Sequence, residues 1–117
     1  MPGKNSITNP QSGDAPARAL VAVWRYRVRP AKTEAFLRAY GADGAWVELF
    51  QRGDGYISTE LLRDASDPAV FVTIDRWESR VAYDAFRKQF ADEYFALDSV
   101  CAAFTEDEEL LLEGATA

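Results

Sequence analysis

The sequence predicts an α+β domain with elements in the order β-α-β-β-α-β and an extra short helix before the second strand. Three observations point there. Phe71-Val72-Thr73-Ile74-Asp75-Arg76-Trp77 is rich in β-branched residues that suit a pleated surface, and it runs directly into Ser79. A serine there can cap a helix, because its hydroxyl accepts a bond from a free first-turn N–H. Ala82, Phe86, Phe90, Tyr94 and Leu97 then recur every three or four residues, as the apolar stripe of a helix does. Finally, Gly53-Asp54-Gly55 and the segment from Asp64 to Pro68 supply the turns that separate two strands from their neighbours.

In chain order, the first strand is expected from Ala19 to Val28. Leu20, Ala22, Trp24, Tyr26 and Val28 share one face, and Val21, Val23, Arg25 and Arg27 the other. Its first half is apolar on both sides, so both faces call for cover. Pro30 suits a first helical turn, Phe36, Leu37 and Tyr40 make that helix's inner face, and Gly41 ends it. Ala45 to Gln51 reads as the short extra helix, with Trp46, Leu49 and Phe50 on one side. Strands follow at Tyr56–Arg63 and Val70–Trp77. One long helix is expected from Ser79 to Leu97, and a final strand from Glu109 to Glu113. The domain then spans residues 19–114, after a flexible arm at 1–18 rich in Gly, Pro, Ser and Asn, and before a tail at 115–117.

The 117 residues fit one core. A net charge of −6 argues against a phosphate-backbone binder, so no nucleic-acid partner is expected. No apolar run has the length of a membrane span and no hydrophobic signal core precedes the domain; with a single cysteine, Cys101, this points to the cytoplasm and away from membranes. The chain has no histidine. That removes the usual nucleophile–base pairs, the commonest zinc ligand and the usual haem ligand. Acid–base work falls to carboxylates, Tyr, Lys or Arg. The run Glu106-Asp107-Glu108-Glu109 reads as a solvated acidic stretch, since the glycine-bearing calcium loop is missing.

On the helix side of the sheet, Trp24, Tyr26, Phe36, Tyr40, Trp46, Phe50, Phe86 and Phe90 either line a cavity for a flat organic ligand or form the core; Trp46 and Phe50 stand out because their helix could act as a lid. Asp75 and Arg76 must point to opposite faces, and an interfacial salt-bridge network competes with a catalytic role for them.

The strand–helix block Phe71 to Ser79 with Tyr83 and Phe86, together with Gly55-Tyr56-Ile57-Ser58-Thr59-Glu60-Leu61-Leu62, resembles the antibiotic biosynthesis monooxygenase (ABM) family. The resemblance covers about Ala19 to Gly114. It implies a ferredoxin-like antiparallel sheet whose bare face pairs with a second copy into a dimeric α/β barrel, hence a homodimer. It also implies a cofactor-independent monooxygenase that uses O2 on a hydrophobic aromatic quinol or anthrone-like molecule, with no metal or other cofactor. On that reading Trp24, Phe36, Trp46, Phe50, Phe86 and Phe90 bind substrate, and Tyr26, Tyr40 or Arg76 orient a developing oxyanion. A haem-degrading branch uses an Asn, a Trp and a His where this chain has Trp24, Phe86 and Ala96, which disfavours that activity. The Asn used by several family enzymes has no counterpart, since Asn5 and Asn9 lie in the arm. A non-catalytic small-molecule binder or accessory dimeric module of the same fold is the alternative.

Overall fold

A computed structural model describes residues 18–117. The expected arm therefore falls, apart from Arg18, outside the described residues. The elements are β1 (Leu20–Val28), a 3-10 turn (Pro30–Lys32), α1 (Thr33–Tyr40), α2 (Ala45–Phe50), β2 (Tyr56–Arg63), β3 (Val70–Trp77), α3 (Arg80–Gln89), α4 (Ala91–Cys101), a second 3-10 turn (Ala102–Phe104) and β4 (Thr105–Ala115). The four strands form one antiparallel sheet in the order β2-β3-β1-β4. This is the ferredoxin-like α+β arrangement that the element order predicts.

The local signals act as expected at most boundaries. Ser79 caps α3 by accepting a hydrogen bond from the Ala82 N–H at 3.1 Å. Gly55 enters β2 with φ of +92°, and a Cβ there would sit 2.7 Å from that of Ala82. Two elements differ from expectation. The helix after Ser79 breaks at Phe90, whose φ and ψ of −112° and 31° separate α3 from α4. No proline or glycine marks the break. Phe90 is buried, with the Arg52 guanidinium 4.8 Å from its ring centroid, and Phe86 and Tyr94 lie close to each other on either side of it. The last strand begins at Thr105 rather than Glu109, so the acidic run, solvent-exposed as expected, is strand and not loop: it pairs with β1, Asp107 opposite Arg27 and Glu108 opposite Tyr26.

Strand alternation sorts the sheet into two faces. Toward the helices point Leu20, Trp24, Tyr26 and Val28 of β1 and Phe71, Thr73, Asp75 and Trp77 of β3, as the register Leu20↔Trp77, Trp24↔Thr73 and Tyr26↔Phe71 requires. The core gathers there around Trp77, Phe36, Phe71, Phe86 and Val28, each at most 2% exposed. The opposite face carries Val21, Val23, Val72 and Ile74 with Leu62 and Leu112, the last two about half exposed. No helix of the described residues is long and apolar enough to cross a membrane.

Candidate active site

Between the inner face of the sheet and helices α2, α3 and α4 lies a cavity of about 270 Å³. Trp24 and Tyr26 enter it from β1, Tyr40 from α1, Trp46 and Phe50 from α2, and Tyr94 from α4. The rings hold one another: Trp46 meets Tyr94 edge-on at 5.0 Å and lies 5.7 Å from Phe50, and Tyr40 stacks on Phe36 at 4.2 Å. Such packing fixes the walls, and flat aromatic ligands gain about 0.5–1.5 kcal/mol per ring pair beyond burial. Trp46 and Phe50 line the space rather than fill it.

The polar groups of the cavity come from every side. Asp75 arrives on β3 beside Thr73, and Thr59 faces it from β2. The Thr59 hydroxyl donates to Asp75 Oδ1 at 2.7 Å and accepts from the Tyr56 hydroxyl at 2.8 Å, a chain that orients the carboxyl. Burial disfavours its charged form and pushes its pKa up to about 6, partly opposed by the Thr59 hydrogen bond. Tyr26 shares a 3.3 Å hydrogen bond with Thr73 Oγ1. Burial raises the Tyr26, Tyr40 and Tyr94 phenols well above the usual range, so they remain protonated donors. Glu108 and Asp98 are exposed and mark the mouth; Glu108 is raised by burial and by Asp98 and Asp107 nearby. Arg87 lies with its guanidinium 3.8 Å from the Tyr94 ring centroid and donates to the Tyr83 hydroxyl at 3.0 Å.

Of the residues singled out from sequence, Trp24, Tyr26, Tyr40, Trp46 and Phe50 converge here. Phe36, Phe86 and Phe90 do not: all three are buried in the core and none lines the cavity. Arg76 is on the other face of the sheet, where it pairs with Glu60 at 3.0 Å, because alternation gives the inner face to Asp75. An oxyanion in the cavity is out of its reach. Thr59, Thr73, Arg87, Asp98 and Glu108 escaped the sequence reading. For Glu108 a signal existed: the acidic run leads straight into Leu110-Leu111-Leu112, which favours one extended strand. For Thr59 and Asp98 none did, since only packing brings them to Asp75 and Glu108. Among the described residues, no three His, Cys, Asp or Glu side chains gather closely enough to hold a metal ion.

Fold and site together define a small ferredoxin-like α+β domain with an aromatic cavity under its helices and a carboxyl at its depth. The chain belongs to the antibiotic biosynthesis monooxygenase family, whose model matches residues 19–91. Among solved structures it is similar to SnoaB, a cofactor-independent oxygenase from Streptomyces nogalater, with 20% identity and TM-score 0.62, covering 86% of this chain and 97% of that one. A conserved protein from Methanosarcina mazei Go1 aligns with TM-score 0.71 at 14% identity over 86% of this chain and 94% of its own. PA3566 from Pseudomonas aeruginosa aligns with TM-score 0.69 at 15% identity over 89% and 99%. At these identities the likeness speaks for the fold. No curated protein matches the chain.

Proposed function

We propose that this protein is a cofactor-independent monooxygenase of the cytoplasm that acts with O2 on a hydroxylated aromatic or anthrone-like molecule, working as a homodimer. The observation that carries the reading is Asp75: a carboxyl with a pKa pushed up to about 6, oriented by Thr59, inside an aromatic cavity. A base of that strength is charged at neutral pH yet basic enough to take a phenolic or activated methylene proton. The anion so formed is electron-rich and can itself reduce O2. With an anthrone-type methylene, one oxygen atom enters as a carbonyl and the other leaves as water with the two hydrogens. Tyr40, whose buried phenol stays protonated at the cavity wall, is the donor for the developing oxyanion. The membership in the monooxygenase family and the likeness to SnoaB support this reading.

Oxygen uptake with a panel of anthrones and dihydroquinones tests it. Uptake is expected well above that of substrate alone, at least about tenfold lower in Asp75→Asn, reduced in Trp46→Ala, and rising with pH through about 6 as the carboxyl ionises. An Asp75→Asn rate equal to wild type would sink the assignment. Tight binding without any uptake would favour a non-catalytic binding module instead.

A further inference from the structure

The two oxygens of Asp75 have different surroundings. Oδ1 accepts from the Thr59 hydroxyl at 2.7 Å, while Oδ2 has no hydrogen-bond partner among the described residues and is not sealed off by them. Thr59 has one hydroxyl proton and gives it to the carboxylate, so the 2.8 Å bond between Thr59 and Tyr56 is donated by the phenol. The charge at the inner end thus fixes the polarity of the whole chain, Tyr56 to Thr59 to Asp75. An irregularity in β2 makes this chain possible. Tyr56 and Thr59 are three residues apart, and on a regular strand they would point to opposite faces. Tyr56 pairs with Trp77 and Thr59 with Asp75, so three steps along β2 match two along β3, with Ile57 the extra residue of a bulge. Both side chains are thereby turned inward, the Tyr56 ring against Phe50 and Trp77. Bulges re-aim side chains in this way at sheet margins, and β2 is an edge strand. Thr59 and Asp75 line the cavity described above; Tyr56 lines neither that one nor the adjoining cavity of about 300 Å³ that Asp75 also borders. A ligand in either would leave the outer end of the chain untouched.

From this geometry we infer that Tyr56 is a positioning residue: acting through Thr59 from outside the cavity, it holds Asp75 Oδ1 as a fixed acceptor and leaves Oδ2 to meet the substrate's proton. The inference rests on the proposed function for the role of Oδ2. The hold on Asp75 stands on the hydrogen-bonded chain alone. Bonds donated to a carboxylate favour its charged form, and a hydroxyl that itself accepts a bond is the better donor. The chain therefore works against burial, the larger influence on this carboxyl. Other titratable groups share its two cavities: Arg80, Asp84 and Arg87 on α3, Asp98 on α4, Glu108 and Glu113 on β4, and the phenols of Tyr26, Tyr40, Tyr83 and Tyr94. Burial and the Thr59 bond, rather than these, set the ionisation of Asp75.

Titration of the Asp75 carboxyl, followed by carboxyl-carbon NMR in the full chain without substrate from about pH 3 to about pH 9, tests it. The proton affinity of Asp75 is expected to rise about threefold in Tyr56→Phe and about tenfold in Thr59→Val, and to stay near wild type in Thr59→Ser, which keeps the hydroxyl. Tyr56→Phe retains the ring against Phe50 and Trp77, so the fold is expected to survive. In a Thr59→Val background Tyr56→Phe should add nothing, because the chain is already cut; a merely structural effect of the phenol would persist there. An Asp75 titration unchanged in Tyr56→Phe, or shifted equally in both backgrounds, would overturn the inference. The pH dependence of oxygen uptake should then move upward with the carboxyl in each variant. A shifted carboxyl with no uptake, or with an uptake profile that does not follow it, would keep the hold on Asp75 and discard the catalytic reading. Uptake that depends on Asp75 while its titration ignores Tyr56→Phe would do the reverse.

Discussion

Asp75 is both the most useful and the most costly residue of the cavity. Its carboxyl ordinarily titrates near 3.8 and is pushed up to about 6 in the fold, so the folded chain holds that proton more tightly than the unfolded one does. Stability from this group therefore falls as pH rises from about 4 to about 6, and the full cost, about 2–3 kcal/mol, is present above that. Asp75→Asn keeps an oxygen for the Thr59 hydroxyl to reach and removes the charge. The variant is expected to melt at a higher temperature than wild type at pH near 8 and to lose that advantage below about pH 4; calorimetry across that range checks the sign. A residue that weakens the fold while serving the chemistry is what a stability–activity trade-off looks like at one position. Alternation along β3 made it certain that Asp75 and Arg76 part ways, but not which one turns inward. Register with Ala22 and Thr59 decided that, and with it the loss of Arg76 from the site.

Among the elements, α3 and β4 show what patterns carry and where they stop. The start of α3 was legible because a cap is a local bond: Ser79 reaches the Ala82 N–H three residues on. Ser79→Ala is expected to cost about 1 kcal/mol in urea unfolding, with the slope of the transition unchanged. The break at Phe90 was not legible, because an unbroken apolar stripe fits one helix or two and the difference lies in how α4 settles against α2 and α3. The sequence pattern understates β4 for a related reason. Its acidic first half has little strand propensity of its own, yet the Arg25 and Arg27 side of β1 faces it, and Asp107 lies opposite Arg27 and within 3.8 Å of Arg25. Pairing with a neighbouring strand outweighed intrinsic preference.

For the whole molecule, the outer face of the sheet is the question that the fold itself poses. Val21, Val23, Val72 and Ile74 sit at its centre, all four only partly covered, with exposed Leu62 and Leu112 to either side. Charged pairs such as Arg76–Glu60 rim them. A face of that composition favours burial against a second copy. A homodimer built through it should run at twice the monomer mass in light scattering, and Val23→Asp, which places a charge at the centre of the face, should shift the population to monomer; a monomeric wild type would refute the arrangement.

The sequence by itself determined the element order, the sheet-and-helix class, the family, and five of the aromatic walls, because strand alternation, helical spacing, caps and turns act over a few residues of chain. Tertiary structure alone decided which aromatics face the cavity and which fill the core, which of Asp75 and Arg76 turns inward, and that Glu108 and Asp98 meet at its mouth. Those outcomes depend on strand register and on helices brought together from distant parts of the chain, and no short-range pattern encodes either.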